Sequence, residues 1–188
     1  MRIFISGGCK NGKSTYAQYL AVGKWPLKPQ DMIPYPLYYV ATMKATDNED
    51  TERITHHQQE REGWGFTTIE QPTNIENILT TCDSKGSFLL DSLTALLANE
   101  MFSAAGDVDN NAVERIAAGL TKILSVINNI VIVSDYIYSD AFVYDTFTEN
   151  YRKSLATLDR LVARQCDVVL EAAYTQIIAH KTPESSCG

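Results

Sequence analysis

A run of eight residues, Gly7-Gly8-Cys9-Lys10-Asn11-Gly12-Lys13-Ser14, fits the pattern G-x-x-x-x-G-K-[ST]. In that pattern backbone N–H groups wrap phosphate oxygens, the lysine puts its charge near the β- and γ-phosphates, and the hydroxyl reaches Mg²⁺. Lys13 and Ser14 occupy those two positions, so the stretch is expected to bind a nucleotide. Asp91 ends an apolar run, Phe88-Leu89-Leu90-Asp91. A carboxylate there can hold Mg²⁺ directly or through water; it can also cap a following helix. The histidines are His56, His57 and His180. His56 and His57 are neighbours, about 100° apart around a helix axis, so only one can point squarely at a given site. Arg53 and Arg61 lie four residues before and after His57 on the same helix face. That face could gather phosphates around an imidazole, and histidine can attack phosphorus; a plain surface histidine is the alternative.

These residues need a scaffold. Residues 2–6 read as a short strand running into Gly7, and residues 13–22 have helical spacing. Strand, glycine loop, helix is the context that the phosphate-binding pattern requires. Pro26, Pro29, Pro34 and Pro36 exclude a regular helix or inner strand, so that stretch is expected to be a long exposed loop. Strands are expected at 37–42, 66–70, 87–91 and 130–134, and helices at 47–61, 74–81, 93–104, 112–127 and 149–166. The segment 168–181 is rich in β-formers and suits an antiparallel edge. Strands alternating with helices imply an α/β fold with a mainly parallel sheet. No repeat or linker divides the chain: residues 1–181 are expected to form one nucleotide-binding domain, and 182–188 a disordered tail.

Composition narrows the class. Hydrophobic residues make up 45% and charged residues 21% of 188, which is ordinary for a soluble globular protein. No stretch approaches the ~20 apolar residues of a membrane span, and Met1 leads straight into a strand rather than a signal peptide, so a cytoplasmic protein is expected. A net charge of −7 argues against a broad nucleic-acid surface. The four cysteines, Cys9, Cys82, Cys166 and Cys187, show no C-x-x-C spacing and are expected to be reduced.

The segments GGCKNGKSTYAQYL, YYVAT, DNEDTERITHHQQER, FTTIEQP and FLLDSLT follow one another in an order that resembles the bifunctional adenosylcobinamide kinase/adenosylcobinamide-phosphate guanylyltransferase family. The resemblance implies a phosphate-loop (RecA-like) three-layer fold. It implies phosphorylation of adenosylcobinamide with ATP or GTP, then transfer of GMP from GTP through a guanylyl-histidine, giving adenosylcobinamide-GDP. Both steps belong to cobalamin biosynthesis. The family histidine closes R-I-x-x-H, here Arg53-Ile54-Thr55-His56-His57, so His57 is the implied GMP carrier. Implied nucleotide contacts beyond the phosphate loop fall on Ala41, Thr42, Met43, Gln58, Gln59, Glu60, Arg61, Glu70 and Asp91, with Ser14 and Asp91 toward Mg²⁺. A homotrimer is implied as well.

The second half departs from the family pattern. The family's S-N-E-V-G-x-G-I-V-P stands here as Ser134-Asp135-Tyr136-Ile137-Tyr138-Ser139-Asp140-Ala141-Phe142-Val143, without the glycines or the proline. The later G-r-x-N-q stretch stands as Ala156-Thr157-Leu158-Asp159-Arg160. An enzyme with one of the two activities is therefore an alternative, as is a nucleotide-binding protein without catalysis.

Overall fold

The structure, a computed structural model, describes residues 1–8, 10–23, 36–44, 55, 59, 62–103, 107–138 and 140–183. Most of the proline-rich loop and of the polar helix expected at 47–61, and residues 184–188 of the expected tail, lie outside the described residues. Thr55 and Gln59 of that helix are described, and both are helical.

Seven strands form one sheet: β1 (Arg2–Gly7), β2 (Leu37–Ala41), β3 (Phe66–Glu70), β4 (Ser87–Asp91), β5 (Ile130–Asp135), β6 (Val168–Ala173) and β7 (Gln176–Lys181). Their order is β3-β2-β4-β5-β1-β6-β7. All neighbours are parallel except β6 and β7. That hairpin turns through Tyr174 and Thr175, both at positive φ. The inner strands are near-continuous runs of Ile, Val, Leu and Phe because both faces of a parallel sheet are covered.

Side-chain parity divides each strand between two cores. Ile3 and Ile5 of β1, Leu89 of β4, and Val131 and Val133 of β5 pack with Ala17, Leu20 and Ala21 of α1 (Lys13–Ala21). Phe4, Phe88, Leu90, Ile130 and Ile132 point the other way. There they meet a short helical turn ending in α2 (Ile78–Thr81), then α3 (Leu93–Met101), α4 (Ala112–Val126) and α5 (Thr146–Gln165). Helices thus lie on both faces, the three-layer α/β arrangement that alternating strands and helices imply.

One helix start differs from the sequence expectation, and at another the structure decides which residue is the cap. The last helix begins at Thr146, not Glu149, because Asp145 caps it: its carboxylate accepts from the N–H groups of Phe147 and Thr148 at 2.9 and 3.0 Å. The helix after β4 is capped by Ser92, whose hydroxyl accepts from Ala95 N at 3.3 Å. Asp91 is therefore not its cap.

Candidate nucleotide site

In the sheet order, β1 ends at the phosphate loop with β5 on one side and β6 on the other. Gly12 adopts φ 77°, a left-handed conformation that glycine takes without cost. It starts α1 with no side-chain cap, so the first N–H groups of that helix are left for an anion. Lys13 is buried; its ammonium donates to the carbonyl of Gly8 at 3.2 Å and meets Asp135 Oδ1 at 2.5 Å. Asn11 Nδ2 donates to the Ala172 carbonyl at 3.4 Å, which ties the loop to β6.

The first glycine of the motif has a packing reason. A Cβ built on Gly7 would stand 2.3 Å from the backbone oxygen of Ala172, so β6 would have to move. A Cβ on Gly8 would meet only the tip of Asn11, at 2.9 Å. Gly7→Ala is expected to lower the unfolding free energy by about 1–3 kcal/mol, the usual cost of overpacking. Gly8→Ala is expected to stay within about 0.5 kcal/mol of wild type. Urea midpoints of the two variants test this, and equal midpoints would discard the β6 contact as the constraint.

Strand register lines up the other candidates. Ala41 pairs with both Glu70 and Asp91, at the carboxyl ends of β2, β3 and β4. Asp91 shares its parity with Leu89, and Asp135 shares its own with Val133, so both carboxylates belong to the α1 face. Asp91 Oδ2 accepts from the hydroxyl of Tyr39 at 2.9 Å. Thr42 is buried and joins the strand ends: its hydroxyl donates to Ser92 O at 2.7 Å and accepts from Ser92 N at 2.7 Å. Asn99 Nδ2 donates to Thr42 O at 2.7 Å and to Pro72 O at 3.1 Å, holding the segments after β2 and β3 together. Gln59 lines a cavity of about 640 Å³ with Thr55, Phe66 and Thr68, beside β3. The structure therefore brings the phosphate loop, Lys13, Ala41, Thr42, Asp91 and Glu70 to one edge of the sheet. Cys9, His57, Gln58, Glu60 and Arg61 lie outside the described residues.

Among the described residues no three His, Cys, Asp or Glu side chains converge as a metal cage. Ser14 and Asp91 are a donor set that suits Mg²⁺, which takes one or two protein oxygens and draws the rest from water and phosphates.

The sequence reading missed two acidic residues at this edge. Asp135 is the carboxylate that pairs with Lys13. Its signal was present, since Ile130–Asp135 ends an apolar strand in an aspartate just as Ser87–Asp91 does. Asp159 on α5 is buried and accepts from the Tyr138 hydroxyl at 2.9 Å. Burial pushes its carboxyl up to about 6 against that hydrogen bond, with the charge of Asp135 adding to the rise. The folded state thus binds this proton more tightly than the unfolded chain does. The stability it contributes is complete below about pH 4 and is lost as pH rises through about 6, on the order of 3 kcal/mol. Asp159→Asn keeps an acceptor for Tyr138 but does not titrate. Its urea stability, relative to wild type, is expected to improve by that amount between pH 4 and pH 7; parallel pH profiles would refute this assignment.

Comparison with known proteins bears on what this edge does. A family model described as cobinamide kinase / cobinamide phosphate guanyltransferase matches residues 3–175. The bifunctional adenosylcobalamin biosynthesis protein CobU of Escherichia coli is 30% identical over 111 residues, and that of Salmonella typhimurium 28% over 110. Each match covers 58% of this chain and 55% of the relative, so the chain spans about half the length of the curated relatives it matches. A KaiC-like protein from Pyrococcus horikoshii OT3 superposes with a TM-score of 0.51 at 12% identity, over 98% of this chain and 81% of that one. At that identity the likeness shows the fold alone.

Proposed function

The chain belongs to the cobinamide kinase / cobinamide phosphate guanyltransferase family, and from that premise we propose that it is a transferase of cobalamin biosynthesis acting on adenosylcobinamide with ATP and GTP. The observation that carries the reading is the Lys13 ammonium, buried at the uncapped start of α1 with Asp91 and Asp135 on the same sheet face. A buried cation beside free helix N–H groups stabilises the charge that develops on a transferring phosphoryl group.

In the first reaction the hydroxyl oxygen of the acceptor attacks the γ-phosphorus of ATP or GTP. The bond to the bridging oxygen breaks, the nucleoside diphosphate leaves, and the hydroxyl proton passes to solvent or a nearby base. Lys13 and the loop N–H groups hold the phosphates in line. In the second, a neutral ring nitrogen of His57 attacks the α-phosphorus of GTP and pyrophosphate leaves. A phosphate oxygen of the cobinamide phosphate then takes the GMP, the phosphorus–nitrogen bond breaks, and His57 is restored. Ser14 and Asp91 would hold Mg²⁺, which when bound supplies charge neutralisation on the phosphates. Ala41, Thr42, Met43, Gln58, Gln59, Glu60, Arg61 and Glu70 would contact the nucleotide. A cytoplasmic homo-oligomer, trimeric by resemblance, completes the proposal.

Retention of a single activity is the second reading, favoured by the altered residues after Ser134. One experiment separates the two. The full chain is incubated with Mg²⁺ and either adenosylcobinamide with GTP labelled at the γ-phosphate or adenosylcobinamide phosphate with GTP labelled at the α-phosphate. Both labels are expected in corrinoid products. Transfer of only one leaves the single-activity reading, and transfer of neither defeats the proposed function.

A further inference from the structure

The residues that depart most from the family pattern follow β5 directly, and they build a groove. Its cavity is about 500 Å³ and is lined by Tyr138, Asp140, Phe142, Val143, Arg152 and Lys153, among others. Phe142 is 75% and Val143 96% exposed, two adjacent apolar side chains that face solvent at the groove. The groove is nevertheless braced. Arg152, itself buried, donates to Asp140 Oδ1 at 3.0 Å, to Glu149 Oε1 at 2.5 Å and to the Ile137 carbonyl at 3.0 Å, and its guanidinium lies 4.7 Å from the centre of the Tyr144 ring. Tyr138 is anchored from behind by Asp159 and packs edge-on against Tyr136, with ring centroids 4.8 Å apart. The strand that leads into these residues ends at Asp135, the partner of Lys13.

We propose that this groove seats the corrin macrocycle of the acceptor; the proposal rests on the acceptor named above. In adenosylcobinamide one face of the corrin carries the adenosyl group, the other is a broad and largely apolar surface, carboxamides form the rim, and the arm carrying the reacting hydroxyl hangs from that rim. Its seat must therefore offer apolar surface and polar groups together, within reach of the phosphate loop. Phe142, Val143 and the ring of Tyr138 supply the first. Asp140 and Lys153 supply an acceptor and a donor for rim amides. Tyr138, which lines the groove, packs on Tyr136. The N–H of Tyr136 donates to the Gly7 carbonyl at 2.9 Å, one residue after the Asp135 that pairs with Lys13, so an acceptor lying in the groove can send its arm toward Lys13. The bracing by Arg152 means that the seat is formed before the ligand arrives, which lowers the ordering cost of binding.

The test titrates adenosylcobinamide into the full-length protein and follows the visible absorption of the corrin, while GTP affinity is measured separately. The double substitution Phe142→Ser/Val143→Ser removes exposed groups, and thermal melting confirms that its fold is kept. The seat predicts at least tenfold weaker cobinamide binding with GTP affinity within twofold of wild type. Val126→Ser, an exposed apolar residue at the opposite end of the sheet, is expected to change neither. Unchanged cobinamide affinity in the double variant overturns the seat alone. Loss of self-association in sedimentation, with cobinamide affinity retained, overturns it in favour of a second copy of the chain as occupant. Failure of the wild-type protein to bind cobinamide overturns the proposed acceptor and the seat together.

Discussion

Replacing Lys13 by alanine is expected to slow transfer from nucleotide by ~10²–10³-fold, the loss typical when one preorganised group facing developing charge is removed. Lys13 is well placed for so large an effect. It is buried, it is held by the Gly8 carbonyl and Asp135, and it stands at the first position of α1. In a water-poor site its charge acts on phosphate oxygens with little screening. Its removal also leaves the Asp135 carboxylate unopposed beside those oxygens, so repulsion adds to the lost attraction. The double variant Lys13→Ala/Asp135→Asn therefore recovers part of the loss. Asp135 is partly open to solvent, so water can take up its charge and the single variant is expected to fold. Single-turnover rates with γ-labelled nucleotide measure the effect. A rate within threefold of wild type would remove Lys13 from the chemistry.

The second large effect concerns the proposed GMP carrier. His57→Ala is expected to abolish the acid-labile adduct formed from GTP labelled at the α-phosphate, because the attacking nitrogen is gone and no partial activity remains. Transfer of the γ-label to adenosylcobinamide is expected to survive, since that step uses Lys13 and the loop. His56→Ala is expected to label as wild type does, because in the helix that the sequence leads one to expect at 47–61 neighbouring side chains point about 100° apart. Adduct formed equally by His57→Ala and wild type would end the guanylyl-histidine proposal. Equal loss in both histidine variants would point to the helix rather than to one imidazole.

Much of the frame was legible without coordinates. The strands at Phe66–Glu70 and Ser87–Asp91 agree residue for residue with those expected, because short runs rich in β-formers between turn residues admit few other readings. The phosphate loop was equally plain. Its function resides in backbone N–H groups and in a lysine adjacent to a glycine, which are properties of consecutive residues. Helix ends were less legible where a cap sits outside the apolar stripe: α5 starts at Thr146, three residues before the expected position, because Asp145 caps it, whereas α3 starts at Leu93 as expected, with Ser92 as its cap.

What the sequence by itself determined is the local pattern: a glycine loop of the phosphate-binding type between a strand and a helix, a carboxylate at the end of β4, and the alternation that makes the fold α/β. What only the tertiary structure decided is which distant groups meet that pattern. Lys13 and Asp135 are far apart in the chain and become partners because β5 is placed beside β1. Gly7 is constrained by Ala172 because β6 lies on the other side of the same strand. Arg152 braces residues that precede its own helix. Spacing along the chain encodes what is reached through one turn or one strand. Strand order is set by how the two cores close over the sheet, and no local pattern carries it.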